Sequence, residues 1–201
     1  MRSLSEYGFS TAEDAHTMGY LVDPVLEILR TRPERRILEI GCGNGAMARR
    51  LSQEGYSVVG IDPSESGIRI ARAAGGGQFE VASVYDDLGR FGRFPIVLSL
   101  EVVEHVFYPR IYAKTVFDAV QDSGIALIST PFHGYWKNLA LALTGKMDSH
   151  FTALWDGGHI KFWSERTLAT LLREAGFTAV DFVRTGRIRA LAKSMIAIAR
   201  R

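Results

Sequence analysis

Cysteine is nearly absent from this chain of 201 residues: Cys42 carries the only thiol. That excludes an internal disulfide framework and fits a reducing compartment. Long apolar runs are missing too. No stretch approaches the roughly 20 residues needed to span a bilayer, and the polar N-terminus has no signal-peptide core, so a cytoplasmic location is expected. Neither sign of charge dominates, since 24 Lys and Arg against 22 Asp and Glu leave a net charge of +2. That is too little to argue for nucleic acid as a partner. What the chain does have is apolar side chains, 47% of the total, enough for one full core. Residues 1–201 are therefore expected to form a single domain, with 1–30 as an N-terminal helical cap.

Two motifs stand out, ILEIGCGNG at Ile37 to Gly45 and VVGIDPS at Val58 to Ser64. Arg36 to Ile40 reads as a first parallel strand buried on both faces. Gly41, Gly43 and Gly45 then turn the chain into a helix over Ala46 to Glu54 and leave room for a ligand to touch backbone. A second strand, Tyr56 to Ile61, places Asp62 at its carboxyl end with Pro63 after it. There a carboxylate can accept two hydrogen bonds from a ribose diol. Cys42, inside the turn, is expected to pack rather than react. Gly41, Gly43, Ala46 and Asp62 also fit the looser dinucleotide pattern, which keeps an NAD-dependent oxidoreductase in view. Against it stands Glu39, an acid that would repel a pyrophosphate but can orient an ammonium group.

The remaining patterns alternate as a doubly wound sheet requires. Thr11 to Arg30 predicts one or two helices, with Pro24 opening the second. Ser64 to Ala74, Pro109 to Gln121 and Ser164 to Ala175 predict further helices. Strands are expected at Gln78 to Ala82, Phe94 to Leu100, Ile125 to Thr130, Thr178 to Val183 and Ser194 to Ala199. The expected fold is thus α/β, a three-layer Rossmann-like arrangement in which a seven-stranded, mostly parallel sheet carries helices on both faces.

Two further regions carry chemistry. EVVEH, placed at the start of a helix, sets Glu101, Glu104 and His105 at i, i+3 and i+4. Two carboxylates and an imidazole can form half of a divalent-metal shell suited to magnesium or manganese. Equally, the acids can be favoured at a helix N-terminus while His105 faces the site alone. The insertion 131–163, after the fifth strand, holds all three tryptophans and three of the five histidines. It reads as a substrate lid. Trp136, Trp155 and Trp163 would enclose an aromatic or apolar acceptor with His159 beside them, and His133 is a candidate base alongside His105.

The string of motifs, MGYL at Met18, LEIGCGNG, GIDPS, SLEVVEHV at Ser99, STPF at Ser129 and GGHIKFWS at Gly157, resembles class I S-adenosylmethionine-dependent methyltransferases. Within that class it is similar to the O-methyltransferases of ubiquinone biosynthesis. The resemblance implies transfer of a methyl group from S-adenosyl-L-methionine, with S-adenosyl-L-homocysteine as product, to the oxygen of a phenolic, hydroxylated or lipid-like small molecule. It matches Gly41 and Asp62 to cofactor-binding positions, Leu100 to a position packed on the cofactor, and Ser83 and Val84 to the adenine contact. Thr17 stands where the ubiquinone enzymes have an arginine, which leaves His16 and Tyr20 to hold the methionine carboxylate. The resemblance also associates EVVEH with a divalent metal, Mg2+ being the candidate.

A non-catalytic cofactor-binding subunit is the third reading the residues allow. The run Leu139 to Leu143 and the last eighteen residues, with six basic side chains and no acid, could touch an anionic membrane. The favoured alternative is that the run packs under the lid and the C-terminal arginines are simply solvated. Oligomeric state is not readable.

Overall fold

The computed structural model describes residues 8–11, 13, 17–186 and 189–201; His16 lies outside them. Seven strands form one sheet: β1 (Arg36–Ile40), β2 (Ser57–Asp62), β3 (Gln78–Val81), β4 (Phe94–Leu100), β5 (Val120–Pro131), β6 (Ala179–Thr185) and β7 (Ser194–Arg200). Their order is β3-β2-β1-β4-β5-β7-β6. β1 to β5 are parallel, and β7 enters antiparallel between β5 and β6. This terminal hairpin is absent from the 3-2-1-4-5-6 order of the dinucleotide fold, so the NAD reading loses its structural basis.

The strands are apolar on both sides because both sides are covered. Ile37 of β1, Ile96 and Leu98 of β4 and Leu127 of β5 pack with helices α1 (Met18–Arg30), α2 (Ala46–Gln53) and α3 (Glu65–Ala74). Alternate residues, Leu38, Ile40, Val97, Ala126 and Ile128, face α4 (Pro109–Ala119) and α7 (Glu165–Ala175) on the opposite side. Helix ends follow local chemistry. Ser64 caps α3 by accepting the Gly67 N–H, and Ser164 with Thr167 forms a reciprocal capping box on α7, each cap contributing about 1 kcal/mol.

Several expectations are corrected. Pro24 does not start a second helix but sits within α1, nearly two turns from its start at Met18, where the missing N–H forgoes the bond that would otherwise run back to the Tyr20 carbonyl. EVVEH does not start a helix: residues 101–108 are turns and bends, and α4 begins at Pro109. Glu101 has φ of +56°, which a helix does not allow. β3 ends at Val81, two residues before Ser83. Among the described residues no helix is long and apolar enough to cross a membrane.

Candidate functional site

The carboxyl ends of the parallel strands gather the polar residues, as expected for a ligand crevice in an open α/β sheet. On one side lies the glycine turn. Gly41 and Cys42 both donate backbone N–H groups to the Ile61 carbonyl, at 2.8 and 3.0 Å. Gly41 has φ of +81°, and a Cβ there would stand 2.3 Å from Val102 Cγ2, so only glycine fits. Asp62 braces the turn: its Oδ2 accepts the Gly43 N–H at 2.9 Å and its Oδ1 the Ser64 N–H at 2.8 Å. Pro63 is exposed beside it.

Glu39 is buried beneath this turn with Oε2 unpartnered. Burial, reinforced by Asp62 and opposed by Arg49, pushes its carboxyl up to about 8. Burial likewise raises the Cys42 thiol, which therefore packs as an inert small group. Gly45 forms the left-handed N-cap of α2. Ser83 accepts the Tyr85 N–H at 3.2 Å, Val84 is buried, and Leu100 is half-buried at the end of β4.

On the other side the EVVEH turn divides its residues. Glu101 Oε1 accepts hydrogen bonds from Ser129 Oγ at 2.7 Å and Ser194 Oγ at 2.8 Å, across β5 and β7. Glu104, only 1% exposed, has both carboxylate oxygens without a hydrogen-bond partner. His105 Nδ1 lies 2.9 Å from the Gly157 carbonyl. His159 packs edge-on against His105 with ring centres 4.8 Å apart, and its Nε2 is 3.9 Å from Glu104 Oε1. One ligand atom from each of Glu104, His105 and His159 lies within 4.8 Å of the others. Among the described residues the grouping with ligand-like spacing is therefore Glu104, His105 and His159, while Glu101, expected beside Glu104 and His105, is held by the two serines. Burial and the neighbouring Glu101 hold the Glu104 carboxyl well above its ordinary value. Burial also pushes His105 down and, with His105 and His150 nearby, brings His159 to about 4.

The insertion leaves and returns at one point, where Phe132 and Trp163 form a parallel bridge. It carries α5 (Tyr135–Leu143) and α6 (Met147–Phe151). Its three tryptophans separate. Trp155 meets both His105 and His159 edge-on or tilted, at ring-centre distances of 5.8 and 5.4 Å. Trp163 instead belongs to the core and donates Nε1–H to the Val103 carbonyl at 3.1 Å. Trp136 is 64% exposed and touches Tyr135. His133 forms a separate cluster with His150, Phe151 and Phe162. Burial, with Lys137 and His150 adding to it, takes His133 down to about 4.

Tyr20 is half-buried in α1. Burial, then Glu101 and Glu104, raise its hydroxyl, and the Lys193 ammonium lies 5.5 Å from its ring centre. Lys137 and Lys193 were missed by sequence reasoning, as isolated lysines carry no periodic signal. Of the run Leu139 to Leu143, expected to pack under the insertion, Leu139 to Leu141 are half-buried and Leu143 is 78% exposed. The C-terminal basic side chains are not merely solvated: Arg184 pairs with Glu165 at 2.7 Å and Arg201 with Asp122 at 3.3 Å.

A family model described as a methyltransferase domain matches residues 14–181. The ubiquinone biosynthesis O-methyltransferase of Dinoroseobacter shibae is 35% identical over 155 residues, 73% of this chain and 61% of that protein. Its namesake from Bradyrhizobium diazoefficiens is 35% identical over 114 residues, 55% of this chain and 45% of that protein. The chain thus spans about half to three-fifths of the length of these curated relatives. Among solved structures, magnesium protoporphyrin IX methyltransferase from Synechocystis with bound SAH has a TM-score of 0.69 at 20% identity, covering 90% of this chain and 81% of that one. An S-adenosylmethionine-dependent methyltransferase from Mesorhizobium loti has a TM-score of 0.67 at 22% identity, covering 89% and 96%. At those identities the likeness speaks for the fold.

Proposed function

We propose, from the premise that this chain belongs to the methyltransferase-domain family, that it moves the methyl group of S-adenosyl-L-methionine to the oxygen of a phenolic or hydroxylated small molecule. The observation that carries this reading is the adjacency of two half-sites at one sheet edge. One is a glycine turn braced by Asp62; the other is the imidazole and carboxylate cluster of Glu104, His105 and His159.

Methyl transfer from a sulfonium is an in-line displacement: the acceptor oxygen bonds to the methyl carbon as the carbon–sulfur bond breaks. Orientation and exclusion of water supply most of the catalysis. Gly41, Gly43 and Asp62 hold the nucleoside, and Glu39 accepts from the ammonium group of the methionine moiety as a carboxylate, its own proton passing to solvent. The acceptor must lose a proton, and a free phenol does so only near pH 10. Burial holds both His105 and His133 below the ordinary imidazole value, toward the neutral form a base requires. His105 is the better placed, because a carbonyl can only accept: Nδ1 carries the hydrogen toward Gly157 and Nε2 keeps its lone pair. Trp155 offers an aromatic wall beside it.

The unpartnered oxygens of Glu104 and the carbonyl-anchored His105 also suit a divalent cation, in which case His105 Nε2 would be a ligand and the ion would take the place of the imidazole base. One carboxylate and two imidazoles favour manganese or zinc over magnesium. When bound, such an ion would favour the ionised form of the acceptor hydroxyl. The solvent-facing apolar surface of α5 suits a lipid-like acceptor or the surface that carries it.

The test is titration with S-adenosylhomocysteine and NAD in parallel, followed by radiolabelled methyl transfer to catechol-type acceptors. Micromolar binding of the first, none of NAD, and labelled product soluble in organic solvent are expected. Binding of NAD alone would sink the reading, and binding without transfer to any acceptor would favour a non-catalytic subunit.

A further inference from the structure

Phe9, Thr11 and Glu13 lie against the glycine turn, and their contacts reach both walls of the cofactor crevice. The Phe9 ring lies between Gly43, in the turn after β1, and Gly67, in the first turn of α3. A Cβ on Gly43 would stand 2.7 Å from Phe9 Cζ, and one on Gly67 would stand 2.9 Å from Phe9 Cδ2. Both contacts are closer than carbon atoms approach one another, so the ring occupies a slot that exists only because both residues lack side chains. The Phe9 N–H donates to Ser66 Oγ at 3.2 Å, again on the α3 wall. On the other wall, Asn44 spends both hydrogens of its amide on this segment, donating Nδ2–H to the Thr11 carbonyl at 3.0 Å and the Glu13 carbonyl at 2.9 Å. The same side chain accepts the Ala46 N–H at 3.2 Å, at the start of α2.

The segment is therefore keyed to the same backbone that grips the nucleoside. Asp62 ties the two walls from within through Gly43 and Ser64, and the strap ties them from outside through Phe9 and Asn44. A ligand that spreads or tightens this pair of turns must change the fit of the Phe9 ring. By linkage, the fit of the ring must change the ligand's affinity by the same factor.

We propose that Phe9 is a positioning residue of the cofactor site: seated between Gly43 and Gly67, it holds the glycine turn in its ligand-binding shape, and its withdrawal sets the rate at which cofactor and product exchange. The proposal rests on the reading of the crevice as an S-adenosylmethionine site. Phe9 touches the turn and not the reacting atoms, so its effect belongs to binding and release rather than to the methyl-transfer step.

The test measures S-adenosylhomocysteine dissociation by stopped-flow displacement. Phe9→Ala should release the product about tenfold faster and raise KM for the methyl donor by a similar factor without lowering kcat. Phe9→Leu, which refills the slot, should restore most of both. A purely structural role would move melting temperature and activity together and leave the dissociation rate of the folded fraction unchanged. A second measurement needs no variant. Chymotrypsin cleavage after Phe9 in the native chain, followed by mass spectrometry as the fragment beginning at Ser10, should slow severalfold in saturating S-adenosylhomocysteine. Dissociation rates within twofold between native and Phe9→Ala, or cleavage indifferent to the ligand, overturn the proposal. A native chain that binds no S-adenosylhomocysteine overturns the underlying reading instead, and the proposal with it.

Discussion

His105 and Gly157, fifty-two residues apart in sequence, meet at 2.9 Å through the imidazole Nδ1 and the peptide carbonyl. The contact joins the turn after β4 to the far end of the 131–163 insertion, and it decides which ring nitrogen keeps its lone pair. A substitution can separate these two roles. His105→Asn keeps a donor near the Nδ1 position and removes the Nε2 lone pair. It should leave thermal stability within about 1 kcal/mol while reducing kcat by roughly 10²- to 10⁴-fold if Nε2 is the base. His105→Ala should lose both activity and lid order. Parallel turnover and thermal-melt measurements distinguish them, and an active His105→Asn enzyme would move the base to His133.

Glu39 ties cofactor binding to protons. Its carboxyl is buried and pushed up to about 8, so in the free protein it is largely protonated at pH 7. An ammonium group placed beside it favours the carboxylate, and binding should release a proton. Affinity for S-adenosylhomocysteine should therefore rise with pH from 6 to 8 and flatten above. Titration calorimetry in buffers of different ionisation enthalpy reads the proton directly, and Glu39→Gln should abolish it.

The same group costs stability. A carboxyl whose folded value lies above its unfolded one contributes most favourably below the unfolded value, and that contribution is lost as pH rises toward about 8. Glu39→Gln should therefore melt higher than the native chain at pH 8.5, by an amount on the order of 2–4 kcal/mol. The gap should shrink toward pH 4.5. A constant gap would mean that Glu39 does not titrate across this range.

The three tryptophans show where sequence reading stops. All fall within the 131–163 insertion and were assigned to the acceptor, yet Trp163 is built into the core and bonded to Val103. The β1 turn, α2 and β2 were legible because each is specified by neighbouring residues: an apolar run, glycines, then an acid at a strand end. EVVEH misled because a spacing of three and four implies one face only on a helix, and Glu101 at φ +56° is not on one. The partners of Glu104 and His105 come from residues 157–159, a separation at which no local pattern exists. Trp163→Phe should cost roughly 1–3 kcal/mol of stability, from a lost buried hydrogen bond and some packing, with acceptor KM unchanged. Trp155→Ala should do the reverse. Acceptor kinetics beside urea denaturation would expose a misassignment of either.

Chelation tests whether Glu104, His105 and His159 hold a cation. Glu104 keeps two buried oxygens without partners, an arrangement that costs free energy unless protonation or a cation relieves it. With a cation as the relief, chelation should lower both turnover and melting temperature, and manganese or zinc should restore them better than magnesium. Glu104→Gln should lose the rescue, since an amide oxygen is a poorer ligand than a carboxylate. Glu101→Gln speaks to a different point. Its partners are the hydroxyls of Ser129 and Ser194, so it should change stability while leaving metal-dependent rescue in place. Full activity after exhaustive chelation, with an unchanged melting temperature, would mean that Glu104 is relieved by a proton and that His105 works without a metal.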